Sequence, residues 1–254
     1  MIEIQCRAVL LDIEGTVSPV AFVFDVMFPY ARRHVESFLR DNWQDENVQQ
    51  AVTLVGKDVG QADTAAWLGD GDADSQRAVV RDAIYELMDG DAKVTGLKQL
   101  QGMIWRTGFE CGELVSDLFP DVQPQLDAWK SAGLDLYIYS SGSIAAQRLF
   151  FGHTVAGDLL DRFSGFFDTT SGNKKESASY TSIASGIGLP PASICFISDV
   201  VAELDAAQAA GMQTVLRPVD NDKNTTHSSI SSLAEVACLL GENSVASARG
   251  NEPR

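Results

Sequence analysis

A short apolar run near the N-terminus, AVLLDI at residues 8–13, limits the possible folds more than any other segment of this chain. Its residues favour β-structure, and the first polar side chain in the run is Asp12. A strand with one solvated face alternates apolar and polar residues, whereas a strand inside a parallel sheet is buried on both faces and is apolar throughout. The run therefore predicts an inner strand of a parallel sheet, with an acid at its carboxyl end.

Strand and helix patterns alternate in the second half of the chain. Strands are predicted at residues 134–140, 193–198 and 214–216, and helices at residues 143–150, 180–185 and 203–210. Alternation of this kind is typical of an α/β fold, so we predict a Rossmann-like core whose parallel sheet carries helices on its faces. Residues 221–232 are polar and loop-like, and the polar tail after Gly241 is expected to be mobile.

The segment between the first strand and this alternating region lacks a convincing strand pattern. Pro29 is expected to break a helix there, and apolar residues recur at helical spacing over residues 32–39 and 75–89. We therefore predict a helical cap inserted into the core. The predicted boundaries are residues 1–19 for the first part of the core, 20–125 for the cap and 126–254 for the rest of the core.

The chain has 254 residues, of which 45% are hydrophobic, and a formal net charge of −16. An acidic surface repels nucleic acid and anionic membranes, so neither is expected as a partner. The four cysteines are widely spaced and contain no C-x-x-C pair, which favours reduced thiols. We expect a cytoplasmic monomer, since no signal peptide, long apolar run or exposed heptad is evident.

Three predicted strands end in polar residues that could form one site. The first is followed by DIEGT at residues 12–16, the second ends in Ser140, Ser141 and Gly142, and the third ends in Ser198 and Asp199. Ligands of open parallel sheets bind outside the carboxyl ends of the strands, so these segments are expected to converge. An isolated acid after a strand is usually a cap, and Ser and Gly are common turn residues; only the combination indicates a site.

The combination resembles the four motifs of the haloacid dehalogenase-like superfamily, and within it the enolase-phosphatase E1 family of methionine salvage. The matching segments are LDIEGTVSPVAFVFDVMFPY at residues 11–30, YIYSSGSIAAQRLFF at 137–151, GNKKESASY at 172–180 and SDVVAELDAA at 198–207. The resemblance runs from about residue 8 to residue 218. It is weaker in the predicted cap, where WRTGFECGEL at residues 105–114 is the best match.

The resemblance implies an enzyme that converts 2,3-diketo-5-methylthiopentyl-1-phosphate into an acireductone and phosphate. Asp12 would attack phosphorus and form an aspartyl-phosphate. Glu14 would protonate the leaving oxygen and then activate water; most of the superfamily has Asp at this position, but the E1 family has Glu. Ser140 and Ser141 would bind the phosphate at the start of a helix.

The cation that neutralises the phosphate must be one of two adjacent lysines. The family pattern selects Lys174, which is two residues after Gly172, and leaves Lys175 on the surface. The resemblance also implies one Mg²⁺ per subunit, because Mg²⁺ prefers oxygen ligands and retains several waters. Its expected ligands are the carboxylates of Asp12 and Asp199 and the carbonyl of Glu14. Glu203 is either a supporting residue of the site or simply a favourable acid at a helix start.

Three other functions compete with this interpretation. A different Mg²⁺-dependent small-molecule phosphatase on the same fold is the main alternative, because the match is weakest in the predicted cap. A haloacid dehalogenase would need neither Mg²⁺ nor Glu14. A non-catalytic binding protein would be expected to lack Asp12, Glu14 or Lys174, and all three are present.

Overall fold

The structure is a computed structural model that describes residues 1–218 and 225–240. The predicted mobile tail after Gly241 lies outside the described residues, as do residues 221–224 of the predicted loop-like segment. The chain divides into two compact units. The first contains Met1–Val17, Pro120–Ser141 and the described part of Arg162–Arg254; the second contains Ser18–Phe119 and Gly142–Asp161.

The described residues form eight strands and nine α-helices. The strands are β1 (Ile2–Cys6), β2 (Ala8–Leu11), β3 (Asp135–Tyr139), β4 (Gly165–Phe167), β5 (Ile194–Ser198), β6 (Gln213–Leu216), β7 (Ser228–Ser229) and β8 (Val236–Leu240). The helices are α1 (Phe28–Asn42), α2 (Glu46–Asp58), α3 (Thr64–Leu68), α4 (Ala73–Asp89), α5 (Thr95–Glu110), α6 (Val122–Ser131), α7 (Ile144–Gly152), α8 (Ser177–Ile187) and α9 (Val201–Ala209).

The first unit is built on a parallel sheet of six strands in the order β4-β3-β2-β5-β6-β7. Strand β2 is in the middle, and every residue of β2 and β5 is buried. Their continuous apolar sequences therefore match their surroundings. Ala8 pairs with Asp135 of β3 on one side and with Ile194 of β5 on the other. The predicted α/β fold with a parallel core is confirmed.

A separate pair of parallel strands, β1 and β8, belongs to the same unit and was not predicted. Strand β7 is a second difference, because Ser228 and Ser229 lie in a segment predicted as a loop but pair with the end of β6. Helix α8 ends at Ile187, near Gly186 as predicted, and is capped by Gly188 in the left-handed conformation, but it begins at Ser177, before the predicted start at Tyr180. The four cysteines are free thiols, as predicted. Cys6, Cys195 and Cys238 are buried, and Cys111 is exposed.

The second unit is helical, and its segment Ser18–Phe119 contains no named strand. Pro29 is the second residue of helix α1, which directly follows a π-helical turn at Phe22–Met27, and, contrary to the prediction, it does not break the helical run. In the first turn of an α-helix, the missing N–H of a proline removes no hydrogen bond within that helix. The units do not coincide with the predicted boundaries: the first segment ends at Val17, the first unit resumes at Pro120, and helix α7, predicted as part of the core, lies in the helical unit. A role of the unit as a cap stays a prediction. No helix of the described residues is long and apolar enough to cross a membrane.

Candidate active site

Asp12 is fixed at the carboxyl end of the central strand β2. Its backbone N–H donates to the Ile197 carbonyl of β5 at 3.0 Å, which continues the ladder one residue beyond the strand. The chain then turns away at once: Gly15 has a φ of +73°, and the N–H groups of Thr16 and Val17 both donate to the Ile13 carbonyl. The Asp12 residue is only 3% exposed, so its carboxylate is held in a rigid, largely water-free position.

Lys174 reaches Asp12 from the loop before helix α8. Its ammonium Nζ donates to Asp12 Oδ1 at 2.5 Å and lies 2.6 Å from Glu203 Oε2. Burial alone would lower the pKa of Lys174, but the carboxylates of Asp12 and Glu203 outweigh it and raise the pKa above its ordinary value. The lysine therefore stays charged between two acids. Its neighbour Lys175 is exposed.

A third acid, Asp199, follows strand β5. Burial, reinforced by the negative charges of Asp12 and Glu203, raises the pKa of Asp199 to about 7. Glu203, in the first turn of helix α9, accepts a hydrogen bond from Ser198 Oγ at 3.1 Å. Burial is also the main cause that raises the pKa of Glu203. Three carboxylates thus share one buried region with a single lysine between two of them.

This excess of negative charge fits a bound divalent cation. Asp199 Oδ1 is buried and has no hydrogen-bond partner, which is costly unless a cation or water completes its coordination. In residues 1–218 and 225–240, no three acidic, histidine or cysteine side chains are grouped closely enough to hold a metal by themselves. A Mg²⁺ ion needs only one or two carboxylates because water and substrate oxygens supply its other ligands. The carboxylates of Asp12 and Asp199 are therefore suitable ligands.

The remaining residues predicted for the site differ in their exposure. Glu14 lies two residues after Asp12 and is half-buried. Ser140 directly follows strand β3 and is buried, and its N–H donates to the Phe167 carbonyl of β4 at 3.2 Å. Ser141 is exposed. The helix that follows, α7, has Ser143 as its N-cap residue, whose Oγ accepts from the Ala146 N–H.

Sequence reasoning missed a set of hydroxyl groups behind Lys174. The hydroxyls of Tyr139, Ser179 and Tyr180 donate to the carbonyls of three consecutive residues, 172–174. The sequence did contain an indication of these hydrogen bonds, because a tyrosine at the buried end of a predicted strand needs a partner for its hydroxyl. The identity of that partner depends on the backbone of an irregular loop, which the sequence pattern does not predict.

The family model for "haloacid dehalogenase-like hydrolase" matches residues 6–211, which include the paired Asp12 and Lys174. The chain is therefore a hydrolase of the haloacid dehalogenase-like class. The chain is 47% identical over 230 residues to enolase-phosphatase E1 of Pseudomonas aeruginosa (strain LESB58), covering 91% of this chain and 97% of the relative. It is 46% identical over 209 residues to enolase-phosphatase E1 of Aquifex aeolicus (strain VF5), covering 82% and 88%. The chain thus belongs to the enolase-phosphatase E1 family.

A solved structure is similar to most of this chain as well. The crystal structure of the UTR4 protein from Saccharomyces cerevisiae is 30% identical to this chain, with a TM-score of 0.73. The similarity covers 90% of this chain and 98% of the yeast protein, so it includes both compact units.

Proposed function

We propose that this protein is a bifunctional enolase-phosphatase. Its substrate is 2,3-diketo-5-methylthiopentyl-1-phosphate, and its products are the acireductone 1,2-dihydroxy-3-keto-5-methylthiopentene and phosphate. The substrate is first enolised to an enol-phosphate, and the phosphate ester is then hydrolysed. The observation that carries the phosphatase step is the buried Asp12 carboxylate with the Lys174 ammonium 2.5 Å away. The choice of substrate is supported by the near full-length similarity to the E1 relatives.

Asp12 is the proposed nucleophile. Its carboxylate attacks phosphorus, the bond from phosphorus to the enol oxygen breaks, and an aspartyl-phosphate forms. Water then attacks the phosphorus of this intermediate, which releases phosphate and regenerates the carboxylate. Burial and the backbone bond to Ile197 support this role, because a fixed nucleophile does not need to be ordered in the transition state.

Glu14 is the proposed proton carrier, since its position two residues after Asp12 places it in the same turn. It gives a proton to the departing enol oxygen and then takes one from the attacking water. Lys174 neutralises the phosphoryl oxygens, and Glu203 keeps the ammonium oriented before substrate binds. We further propose that Ser140 and Ser141 donate hydrogen bonds to the phosphate.

The proposed cofactor is one Mg²⁺ per subunit, held by the carboxylates of Asp12 and Asp199 and by the Glu14 carbonyl. When bound, it would neutralise phosphoryl charge that Lys174 alone does not balance. The orphaned Asp199 Oδ1 supports this assignment. Free cysteines throughout the described residues support a reducing compartment, and we propose a cytoplasmic monomer.

An Asp12→Asn variant tests the nucleophile and separates the two half-reactions. The variant is mixed with the diketo phosphate at high Mg²⁺, and enol absorbance and free phosphate are followed together. We expect phosphate release to be abolished, because the amide has nearly the same shape but is a far poorer nucleophile. Enol accumulation without phosphate would support separate steps. Phosphate release near the wild-type rate would refute the assignment of Asp12.

Another Mg²⁺-dependent small-molecule phosphatase on the same fold is the second candidate. The same buried Asp12 and Lys174 would serve any phosphate monoester, so the phosphatase site does not by itself select the diketone. Wild-type protein is assayed with a generic aryl phosphate and with the diketo phosphate at equal concentrations. Mg²⁺-dependent release from the aryl phosphate alone would favour the second candidate.

A further inference from the structure

The loop that carries Lys174 has three successive carbonyls that each accept a hydrogen bond from a side-chain hydroxyl. Tyr139 Oη donates to the Gly172 carbonyl at 3.0 Å, Ser179 Oγ to the Asn173 carbonyl at 2.7 Å, and Tyr180 Oη to the Lys174 carbonyl at 2.8 Å. We call these three hydroxyl-bearing residues the hydroxyl clamp. Three successive carbonyls are thus each bonded to a different hydroxyl.

All three donors of the clamp come from regular, buried elements. Tyr139 is the last residue of strand β3 and Tyr180 lies in the first turn of helix α8, and both are fully buried. The two rings pack edge to face with centroids 5.5 Å apart. Ser179 is 2% exposed. Because buried side chains in packed elements keep fixed positions, the clamp transfers the rigidity of the sheet and helix to an irregular loop.

The loop fits the clamp closely only because residue 172 is glycine. Gly172 has a φ of +125°, which side-chain-bearing residues rarely adopt. A Cβ atom at this position would lie 2.2 Å from Ser179 Oγ. Glycine at position 172 therefore lets the loop backbone approach the hydroxyls, whereas any side chain there would clash with Ser179.

The position of Lys174 depends on both ends of the residue. Its carbonyl is bonded to Tyr180, and its ammonium lies between Asp12 and Glu203 and 5.6 Å from the centre of the Tyr139 ring. A phosphate that reaches the site will compete for the ammonium. The hydrogen bond from Tyr180 to the Lys174 carbonyl is not part of that competition. It can therefore keep the lysine oriented while the ionic partners of its ammonium change.

We propose that Tyr139, Ser179 and Tyr180 are positioning residues that hold the backbone of residues 172–174 so that the Lys174 ammonium meets the phosphoryl group. This inference rests on the proposed function, because it concerns how Lys174 acts in phosphate transfer. The clamp residues do not touch the reacting atoms in this assignment; they act through Lys174.

Tyr180→Phe and Tyr139→Phe test the proposal, because each removes one oxygen and keeps the ring. The matched control is Tyr137→Phe, on the same strand β3, where Tyr137 is half-buried and contacts Phe167 of β4. We expect the two clamp variants to lose about tenfold in kcat and to raise KM severalfold, with a loss of kcat comparable to that from removing groups that orient metal ligands. The control is expected to keep wild-type kcat.

A double variant distinguishes positioning from a general structural role. In a Lys174→Ala background, adding Tyr180→Phe should cause no further loss of activity, because the residue it acts through is gone. A loss that persists in full in this background, or a wild-type kcat for Tyr180→Phe, would overturn the proposal. Ser179→Ala serves as a further clamp variant if a tyrosine variant does not fold.

Binding of inorganic phosphate, measured by calorimetry, provides a readout that needs no turnover. We expect Tyr180→Phe to weaken binding severalfold and Tyr137→Phe to leave it unchanged; equal affinity in both would contradict the proposal. The same kinetic comparison is made with an aryl phosphate. If wild-type protein hydrolyses the aryl phosphate but not the diketo phosphate, the proposed substrate fails and the clamp is still tested.

Discussion

Lys174 is a buried cation whose partners define the site at the scale of single residues. A buried ammonium is strongly disfavoured unless it is paired, and here it is paired twice, with Asp12 and with Glu203. Glu203, which the sequence left open between a supporting residue and a helix-start acid, contacts the lysine directly. The pairing explains how one lysine is kept charged and in place before a phosphate enters.

The adjacent lysines allow a matched comparison. Lys174→Ala is expected to lower kcat for phosphate release by about 100-fold or more, a loss typical of removing a charge-stabilising donor. Lys175→Ala is expected to leave kcat within about twofold, since Lys175 is exposed. Both variants are measured by steady-state phosphate release. If Lys175→Ala is the inactive one, the assignment of the two lysines must be exchanged.

Asp199 connects the proposed metal to stability. Mg²⁺ is expected to raise the melting temperature of the wild-type protein, because a ligand that binds only the folded state stabilises it. Asp199→Asn should gain much less from the same Mg²⁺ concentration. In EDTA the variant should be at least as stable as wild type, since it removes one of three neighbouring carboxylates. An unchanged Mg²⁺ response, measured by thermal unfolding, would exclude Asp199 as a ligand.

Asp12 and Asp199 were predicted at strand ends for a physical reason, whereas Lys174 was selected by the family pattern. Buried parallel strands are largely apolar, so an acid that follows such a strand marks its carboxyl end. The hydroxyl clamp could not be located, because its acceptors are carbonyls. Every residue carries the same backbone carbonyl, so the residue type does not mark an acceptor. Only the conformation of the folded loop determines which carbonyls face Tyr139 and Tyr180.

Helices α2 and α5 of the second unit show how a glycine permits close packing between elements. A Cβ atom at Gly96, in the first turn of α5, would lie 2.3 Å from the backbone nitrogen of Val55 in α2. The close approach brings Asp58 to the start of α5, where its Oδ2 accepts from the N–H groups of Gly96 and Leu97 at 2.6 and 3.2 Å. An acid from one helix therefore caps another.

Gly96→Ala is expected to destabilise the protein by about 1–3 kcal/mol, because the new methyl group meets backbone that cannot move aside easily. Gly102→Ala in the same helix is the control. Nothing lies within 4 Å of a Cβ at that position, so alanine should stabilise α5 by up to about 1 kcal/mol. Chemical denaturation measures both changes in the free energy of unfolding. The same sign for the two variants would contradict this packing.

The elements that the sequence predicted are those whose signal is local. Strands β2 and β5 are buried and almost entirely apolar, and helix α4 has its own caps at Asp72 and Gly90. Strand β1 was missed because its partner β8 lies more than 200 residues away, and the pair forms a separate two-stranded sheet. Strand β7 has only two serines, and its pairing with β6 is not visible in composition.

At the scale of the whole molecule, one half-buried acid joins distant parts of the first unit. Asp121 precedes helix α6, and its Oδ1 accepts from Arg217 Nη2 at 2.9 Å. Its Oδ2 accepts from Ser232 Oγ at 2.9 Å and from the Leu233 N–H at 2.6 Å. These partners lie 96 to 112 residues further along the chain. The carboxylate thus links the segments that follow β6 and β7 to the start of α6.

The free energy of unfolding is expected to depend on pH because of these hydrogen bonds to Asp121. Burial alone would raise the pKa of Asp121, but hydrogen bonds from Arg217, Leu233 and Ser232 outweigh it and hold the pKa below its ordinary value. A carboxylate with a lowered pKa in the folded state contributes stability above its unfolded pKa of about 4. That contribution is lost as the pH falls through the lower, folded pKa.

Asp121→Asn is therefore expected to cost about 1–3 kcal/mol at pH 7, the range for hydrogen bonds to a charged group. The cost should shrink as the pH falls from about 4 through the lower, folded pKa, because Asp121 is protonated first in the unfolded chain and then in the folded protein. Urea denaturation of both proteins at pH 7, 5, 4 and 3 measures the difference in the free energy of unfolding. Asp117→Asn, which removes an exposed carboxylate, is the control and should show little difference at any of these pH values. A cost for Asp121→Asn that is the same at pH 7 and pH 3 would mean that shape, and not the charge of Asp121, joins these segments.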